Sequence, residues 1–372
     1  MNVLYFVNTV GMYGANHSLI DMLEELKKRH VNVYVVIMQD GDLKRELRKR
    51  GIKTYIVSYE TNSAIKNTLT FTNKCKRLAK NIQCLQEIKK IIDTNNIDII
   101  HSNASNIDIG AIAAFRYNLP HVFHVREILL DDYGLSYDFP TLSRFFLSKA
   151  KKIIAISEYV QKKRKLGKNS IVLYNGINLE KYSISKKALF TSDKLHILYC
   201  GVISHQKGVM DVVKAVRYLI QKGYVNIELS IVGGESPYGL KIKKYVRQNH
   251  LEKYIYFHGY QQDVLEFRKK ADVAVMTSRS EALGRVTIES MLGEVLVIGA
   301  DCGATSELIR DGITGYLYEP GNIKHLASIL DGIKENKEKN VSIVENAKNF
   351  ALDNFDREKY VNEIISIYRS LL

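Results

Sequence analysis

Short runs of apolar residues alternate with amphipathic helical patterns along the whole chain, and this alternation constrains the fold more than any other feature. Apolar runs of this length are typical of buried strands, and a helix between consecutive strands favours parallel sheets covered on both faces. The runs predict strands at 2–7, 32–38, 53–57, 97–102, 121–125, 152–156, 170–174, 195–200, 226–232, 254–258, 272–276, 295–299 and 315–318. The sequence therefore predicts an α/β protein.

The length of 372 residues favours two domains rather than one. The strand pattern divides at the polar stretch 178–194, which lacks periodicity and is interpreted as a hinge. We therefore expect one doubly wound domain at 1–178 and a second at 195–356. The last segment, 357–372, has apolar residues at helical spacing and predicts a terminal helix.

The formal net charge of +14 is compatible with nucleic acid, an anionic membrane face or phosphorylated substrates, or with a lysine-rich composition alone. No nucleic-acid-binding signature is present, so we expect no nucleic acid partner. The start of the chain is interpreted as a strand rather than a signal peptide, and no apolar run approaches a membrane span. Four scattered cysteines without zinc-ligand spacing indicate a cytoplasmic protein without a metal site.

Two glutamates, Glu281 and Glu289, are separated by seven residues and follow the apolar run 272–276. Gly284 lies between them, before a segment whose apolar spacing indicates the start of a buried helix. A helix N-terminus offers unpaired backbone N–H groups to an anion such as a phosphate. Here the amides belong to Leu283, Gly284 and Arg285. This layout suits a nucleotide sugar, although two surface glutamates near one helix remain the alternative.

The stretch 280–291 resembles the paired-glutamate motif of the family 4 retaining glycosyltransferases. The resemblance implies the GT-B fold, in which two Rossmann-like domains face a central cleft and the terminal helix crosses back to the first domain. It also implies that Glu281 holds hydroxyls of the transferred sugar and that Glu289 holds the ribose.

The segment 199–208 also resembles this family, in which the site usually reads Gly-Arg, four residues, Lys-Gly. Gly201 and Lys207 match, and Lys207 would supply a flexible point charge to the diphosphate unless it is simply a solvated loop lysine. Val202 stands where the arginine is expected, which removes one bidentate phosphate contact. Three other side chains are open as replacements: Arg279, Arg285 and His205.

Two further glycines are candidates for donor binding by resemblance. Gly233 ends a strand and resembles the glycine turn beneath the nucleotide base. Gly14 follows the first strand and resembles the loop by which the backbone approaches the donor phosphate and acceptor, although a plain strand–helix turn is the alternative. The spacing around Gly14 does not fit a dinucleotide fingerprint, which disfavours a nicotinamide dehydrogenase.

His124 and Arg126 lie on the strand that follows Pro120. Many relatives place a histidine that contacts the donor sugar near the sixth residue after this proline, where the present chain has Arg126. His124 lies two residues earlier and shares a strand face with it. Both are candidate site residues, and the alternative is a core-edge histidine beside a structural pair of Arg126 with Glu127.

The segment 66–92 has apolar residues at helical spacing and lysines on its other faces, which predicts a basic amphipathic helix. Either it packs on the core with a solvated lysine face, or its basic face rests on an anionic inner membrane leaflet.

Taken together, these resemblances imply a retaining, metal-independent hexosyltransferase without a cofactor, whose donor is a UDP- or GDP-sugar. The resemblance implies a glycan or lipid-linked acceptor in bacterial capsule, O-antigen or other surface-glycan synthesis. The alternative is a catalytically silent GT-B protein that binds a nucleotide sugar or a partner, and Val202 is its best support.

Overall fold

The computed structural model describes residues 1–184 and 189–372. Chain contacts separate two units, residues 1–177 with 355–372 and residues 178–354. Each unit is built on a parallel sheet, which confirms the predicted α/β class. Each of the predicted strands forms, with ends that differ by two residues or fewer.

The first unit contains nine strands and nine helices among its described residues. The strands are β1 (Asn2–Phe6), β2 (Asn32–Ile37), β3 (Lys53–Ile56), β4 (Ser63–Ile65), β5 (Ile99–Ser102), β6 (His121–Val125), β7 (Leu135–Tyr137), β8 (Lys152–Ala155) and β9 (Ser170–Val172). The helices are α1 (Gly14–Lys28), α2 (Asp42–Lys49), α3 (Phe71–Gln83), α4 (Leu85–Thr94), α5 (Asp108–Tyr117), α6 (Leu129–Tyr133), α7 (Pro140–Lys149), α8 (Glu158–Lys163) and, at the chain end, α17 (Arg357–Arg369).

Seven strands of the first unit form one sheet in the order β3-β2-β1-β5-β6-β8-β9. Strand β1 feeds apolar clusters on both faces, because successive side chains of a strand point to opposite sides. Val3 and Tyr5 pack with α1 and α17, whereas Leu4 and Phe6 pack with α4 and α5. The central strands are therefore continuous apolar runs rather than alternating ones.

The second unit contains six strands and eight helices among its described residues. The strands are β10 (Leu195–Cys200), β11 (Ile227–Val232), β12 (Ile255–Phe257), β13 (Val273–Met276), β14 (Leu296–Ala300) and β15 (Tyr316–Tyr318). The helices are α9 (Leu179–Tyr182), α10 (Val209–Gln221), α11 (Pro237–Gln248), α12 (Leu265–Lys270), α13 (Arg285–Leu292), α14 (Thr305–Leu308), α15 (Ile323–Asp331) and α16 (Lys337–Asn354). The strand order is β12-β11-β10-β13-β14-β15, that of a dinucleotide-binding sheet.

The structure differs from the sequence prediction in the segment 66–92. Two helices, α3 and α4, replace the single predicted helix, with Thr70 capping α3 and Cys84 lying between the two. Helix α4 buries Ile88, Ile91 and Ile92, as expected of a core-packed helix. In α3 the only buried residue is Asn81, so the core interpretation is wrong for that half of the segment.

Two other features concern the predicted boundaries and pairings. Strands β4 and β7 form a small antiparallel sheet, which the sequence does not reveal because each strand has three residues.

The predicted hinge at 178–194 falls partly on 185–188, outside the described residues. The described remainder belongs to the second unit, where Phe190 is buried in the core.

Candidate functional site

The adjacent strands β10 and β13 mark the point in the second unit where the strand order reverses. In open parallel sheets, ligands bind outside the carboxyl ends of the strands at such a point. The loop after β10 and the loop after β13 are joined there by hydrogen bonds. The Thr277 hydroxyl donates to the carbonyl of Lys207 at 2.8 Å, and the amide of Arg279 donates to the carbonyl of Gln206 at 2.7 Å. The fold therefore holds the two predicted motifs side by side.

Lys207 and Glu281 meet across these two loops. The Lys207 Nζ lies 2.7 Å from Glu281 Oε2, and the Ser278 hydroxyl donates to the same oxygen at 2.9 Å. The amide of Ala304 in the loop after β14 donates to the backbone carbonyl of Glu281 at 2.8 Å, which fixes the loop. Both side chains remain partly exposed, at 35% for Lys207 and 21% for Glu281. A cation and a hydrogen-bond acceptor are thus held together where a ligand can reach both.

Gly284 is the N-cap of α13 and has a φ of 95°. This left-handed conformation favours glycine, and a Cβ would lie 3.1 Å from Thr287 Oγ1 and 3.3 Å from Glu281 Cγ. Among the described residues, none accepts a hydrogen bond from the amides of Leu283 and Gly284. These donors lie three residues or fewer beyond Glu281 in the chain, and the turn is a potential anion contact.

Glu289 lies inside α13 in a buried ion-pair network rather than at an open surface. Its Oε1 accepts from Arg285 Nε at 2.7 Å, and its Oε2 accepts from Arg268 of α12. Tyr182 covers both guanidinium groups, with ring centroids 5.4 Å from Arg268 and 5.8 Å from Arg285. Burial acts to raise the pKa of Glu289, but the charges of Arg268 and Arg285 hold it below its ordinary value. Glu289 is therefore an ionised carboxylate within this network.

The three candidate replacements for the missing arginine have different surroundings. Val202 itself is 55% exposed. Arg279 is paired with Asp211 at 2.7 Å, and Arg285 is engaged by Glu289. His205 is exposed and its ring packs edge-on against a tyrosine. The structure brings His205 and Lys207 into one loop, but the choice among the three stays a prediction.

Gly201 and Gly233 lie at the ends of the neighbouring strands β10 and β11. A Cβ on Gly233 would lie 2.1 Å from the carbonyl oxygen of Gly201, so only glycine permits this approach of the two strand ends. The predicted contact of Gly233 with a base stays a prediction. The close approach of the two strand ends is by itself a structural reason for glycine at this position.

The first unit has the same kind of reversal point, between β1 and β5. Gly14 opens α1 after β1, and a Cβ there would meet nothing within 4 Å. The Asn16 side chain holds the preceding loop by donating to the carbonyls of Thr9 at 3.0 Å and Gly11 at 2.7 Å. The space beside Gly14 is therefore open in this unit.

His124 and Arg126 are both buried in the first unit. Arg126 donates from Nε to Asn103 Oδ1 at 2.9 Å and from an Nη to Asn175 Oδ1 at 2.8 Å. Its other Nη lies 3.3 Å from His124 Nδ1. Burial, reinforced by the charge of Arg126, holds the pKa of His124 well below its usual range, so the imidazole is neutral. A direct contact of either side chain with a sugar stays a prediction.

Several polar residues of these sites have no motif in the sequence. Arg268 and Tyr182 complete the network around Glu289, yet they lie on short helices far from it in the chain. Ser278 could have been found, because it precedes Glu281 by three residues in a loop where side chains can converge on one oxygen.

Glu127, next to Arg126, leads to a prediction about pH. Burial raises the pKa of its carboxyl to about 7, and the surrounding charges are Asp132, Arg126 and Arg164. Between the unfolded pKa and about pH 7, the folded protein therefore holds a proton that the unfolded chain has already lost. The contribution of Glu127 to stability is fully present below the unfolded pKa and is lost as pH rises through 7. The substitution Glu127→Gln should remove a cost of up to about 3 kcal/mol at pH 8. Its amide oxygen can still accept from the Ser105 amide.

The measurement is the melting temperature of wild type and Glu127→Gln at pH 5 and pH 8. We expect the variant to melt clearly higher at pH 8 and by a smaller margin at pH 5. The same margin at both values would show that Glu127 is ionised in the folded protein throughout.

Comparisons with known proteins find similarity in both units. The model of the family described as Glycosyltransferase Family 4 matches residues 12–181, and that described as Glycosyl transferases group 1 matches residues 180–350. An uncharacterized glycosyltransferase of Methanocaldococcus jannaschii is 27% identical over 84% of this chain and 88% of its own. The capsular polysaccharide biosynthesis glycosyltransferase CapM of Staphylococcus aureus is 23% identical over 94% of this chain and 93% of its own.

Among solved structures, Anabaena HepE in complex with UDP-glucose superposes with a TM-score of 0.81 and 23% identity, covering 100% of both chains. This likeness confirms the predicted GT-B fold, with two Rossmann-like domains.

Proposed function

Since the two family models together extend over residues 12–350, the chain belongs to the family 4 glycosyltransferases, and we propose that it moves a hexose from a nucleotide diphosphate sugar to an acceptor with retention of configuration. The observation that supports this best is the contact of Lys207 with Glu281 at the strand reversal of the second unit. It places a cation for a diphosphate beside an acceptor for sugar hydroxyls.

The proposed chemistry begins with departure of the diphosphate, which develops negative charge on its oxygens. Lys207 and the amides of Leu283 and Gly284 would stabilise that charge, and preorganised donors of this kind often supply the largest catalytic contribution. The acceptor hydroxyl attacks the anomeric carbon on the face that the diphosphate leaves, and its proton passes to a departing phosphate oxygen. Glu281 holds hydroxyls of the transferred hexose, and Glu289 holds the ribose.

We propose a UDP-sugar as the donor, with a GDP-sugar as the other candidate. The complex of Anabaena HepE with UDP-glucose supports this choice, because HepE has the same fold. The relative CapM is named as a glycosyltransferase of capsular polysaccharide biosynthesis. This name supports a role of the present chain in capsular or other surface-glycan synthesis, with a glycan or lipid-linked acceptor. The four cysteines are all free thiols, which fits the reducing conditions of the cytoplasm.

The experiment that tests this function measures both donor binding and donor turnover. UDP-glucose, UDP-N-acetylglucosamine and GDP-mannose are compared in a thermal-shift assay, because a ligand that binds the native state raises the melting temperature. The same donors are then assayed for release of nucleoside diphosphate, with and without EDTA. We expect one base to be preferred and EDTA to leave the rate unchanged, because the proposed reaction uses no metal. Absence of both a shift and turnover with every donor would contradict the proposal.

A second candidate function is favoured by Val202, which places an exposed apolar side chain where the family motif has a phosphate-binding arginine. In that case the chain binds a nucleotide sugar or a partner without transfer. A thermal shift with a donor but no release of nucleoside diphosphate, with or without added acceptor glycans, would support this candidate.

A further inference from the structure

Helices α3 and α7 of the first unit flank an open cavity of about 590 Å³. Its lining is mostly apolar and includes three phenylalanine rings, Phe71, Phe139 and Phe145, with Lys74 and Asp138 as its charged members. Phe71 and Phe139 meet edge-on with ring centroids 6.0 Å apart. A cavity of this size and character can bury a hydrocarbon group. No step of the proposed transfer reaction uses it.

The apolar residues around the cavity lie at the surface rather than in the core. Phe71 is 73% exposed, Phe115 is 60% exposed and Phe145 is 42% exposed. Phe115 and Phe145 are themselves in contact, with centroids 6.0 Å apart. Isolated exposed apolar side chains are ordinary, but a group of aromatic rings around one cavity indicates a binding surface.

The two chain segments that form this surface carry cations, and Asp138, the carboxylate in the cavity lining, is paired with Arg77. No Asp or Glu occurs in 61–86 or in 139–157. Arg77 and Lys80 of the first segment are paired with Asp138 and Glu60. Within the described part of the chain, no carboxylate lies within ion-pair distance of the remaining cations nearest the cavity. These are Lys74, which lines the cavity, and Lys149, whose Nζ lies 5.4 Å from the ring centroid of the lining residue Phe145.

An anionic lipid bilayer presents a chemical group that suits each part of this surface. Phosphate headgroups suit the unpaired cations, and acyl chains suit the apolar rings. The phosphate headgroups complement lysine and arginine side chains, each of which contributes about 1 kcal/mol near such a surface. The acyl region accepts exposed aromatic side chains. An acidic protein is the other kind of occupant, but the cavity is lined by apolar rings with few polar groups to pair with peptide hydrogen bonds.

We propose that the α3–α7 surface, formed by Phe71, Phe145, Lys74 and Lys149 around the cavity, docks the chain on an anionic lipid bilayer, with hydrocarbon entering the cavity. The inference concerns the first unit alone and does not require the proposed transfer reaction. It explains why α3 is amphipathic although Asn81 is its only buried residue. Within the described residues no helix has the length and apolarity to cross a membrane, so the proposed contact is with the bilayer surface.

The test is co-sedimentation of the full chain with phosphatidylcholine vesicles that contain or lack phosphatidylglycerol. We expect binding to the anionic vesicles, reduced by added salt, and little binding to the neutral ones. Lys74→Gln/Lys149→Gln should weaken binding about tenfold or more. The matched control Lys241→Gln/Lys244→Gln removes the same charge from the exposed face of α11 in the second unit and should bind as wild type.

A second pair of variants tests the apolar part of the surface. Phe71→Ser/Phe145→Ser keeps every charge and should lower binding severalfold, most clearly at high salt, where the headgroup attraction is screened. Because both side chains are exposed, we expect unchanged melting temperatures and an unchanged thermal shift with nucleotide sugars. Equal binding to both kinds of vesicle, binding to neither, loss of binding in the α11 control to the same degree, or wild-type binding of the phenylalanine variant would each overturn the proposal.

Discussion

Replacing Lys207 by methionine is expected to lower the turnover number for sugar transfer by about a hundredfold to a thousandfold. This is the size of effect seen when one preorganised donor to a developing negative charge is removed. The methionine keeps most of the length of the lysine stem, so the loops after β10 and β13 should keep the hydrogen bond from Thr277 to the carbonyl of residue 207. The Michaelis constant for the donor should change less than the turnover number, because the charge on the diphosphate grows in the transition state.

The contact between Lys207 and Glu281 makes the comparison of single and double variants informative. In Lys207→Met the Glu281 carboxylate loses its cation and lies close to the proposed position of the diphosphate. Glu281→Gln removes that negative charge but also an acceptor for the sugar. Because the two side chains are in contact, their effects on the rate should not add, and the double variant should be little slower than Lys207→Met.

The matched control is Lys241→Met, which makes the same change on exposed α11 and should transfer sugar as wild type. The measurement is steady-state release of nucleoside diphosphate, with melting temperatures to show that each variant is folded. A Lys207→Met enzyme with wild-type turnover would contradict the assignment of Lys207 to the leaving group.

The sheets could be predicted from the sequence because central parallel strands are buried on both faces. In the run 2–7 every residue after Asn2 is apolar, so both faces of the strand are apolar. The structure accordingly places the neighbours Val3 and Leu4 in different clusters. The strands β4 and β7 escaped prediction because three residues give no period to recognise. An amphipathic pattern also identifies a face without revealing what covers it, as α3 demonstrates by burying only Asn81.

The contact of Lys207 with Glu281 could be expected from the sequence, because each residue follows a predicted strand. Parallel strands that are neighbours bring the loops at their carboxyl ends together. The pairing of Glu289 with Arg268 could not be expected from the sequence. Arg268 lies on a six-residue helix and pairs with a residue 21 positions away, so neither periodicity nor a motif connects them.

That buried pairing leads to the second large expected effect, on stability. Glu289→Gln should lower the free energy of unfolding of the second unit by about 3–5 kcal/mol, because it removes the carboxylate that pairs with the buried guanidinium of Arg268. Arg268 is 2% exposed and cannot turn to water, whereas Arg285 at 13% side-chain exposure is nearer the surface. For a unit of this size the melting temperature should fall by roughly 10 °C.

Removing both members of the pair separates the structural role of Glu289 from its proposed contact with the ribose. Arg268→Met/Glu289→Met replaces the buried charges by apolar side chains of similar length, a change that is often neutral or stabilising. We therefore expect the double variant to melt well above Glu289→Gln yet to show no thermal shift with a nucleotide sugar. Recovery of both the melting temperature and the shift would mean that Glu289 serves the fold and does not hold the donor. A double variant that melts as low as Glu289→Gln would instead show that Arg285 or Tyr182, rather than Arg268, depends on the carboxylate.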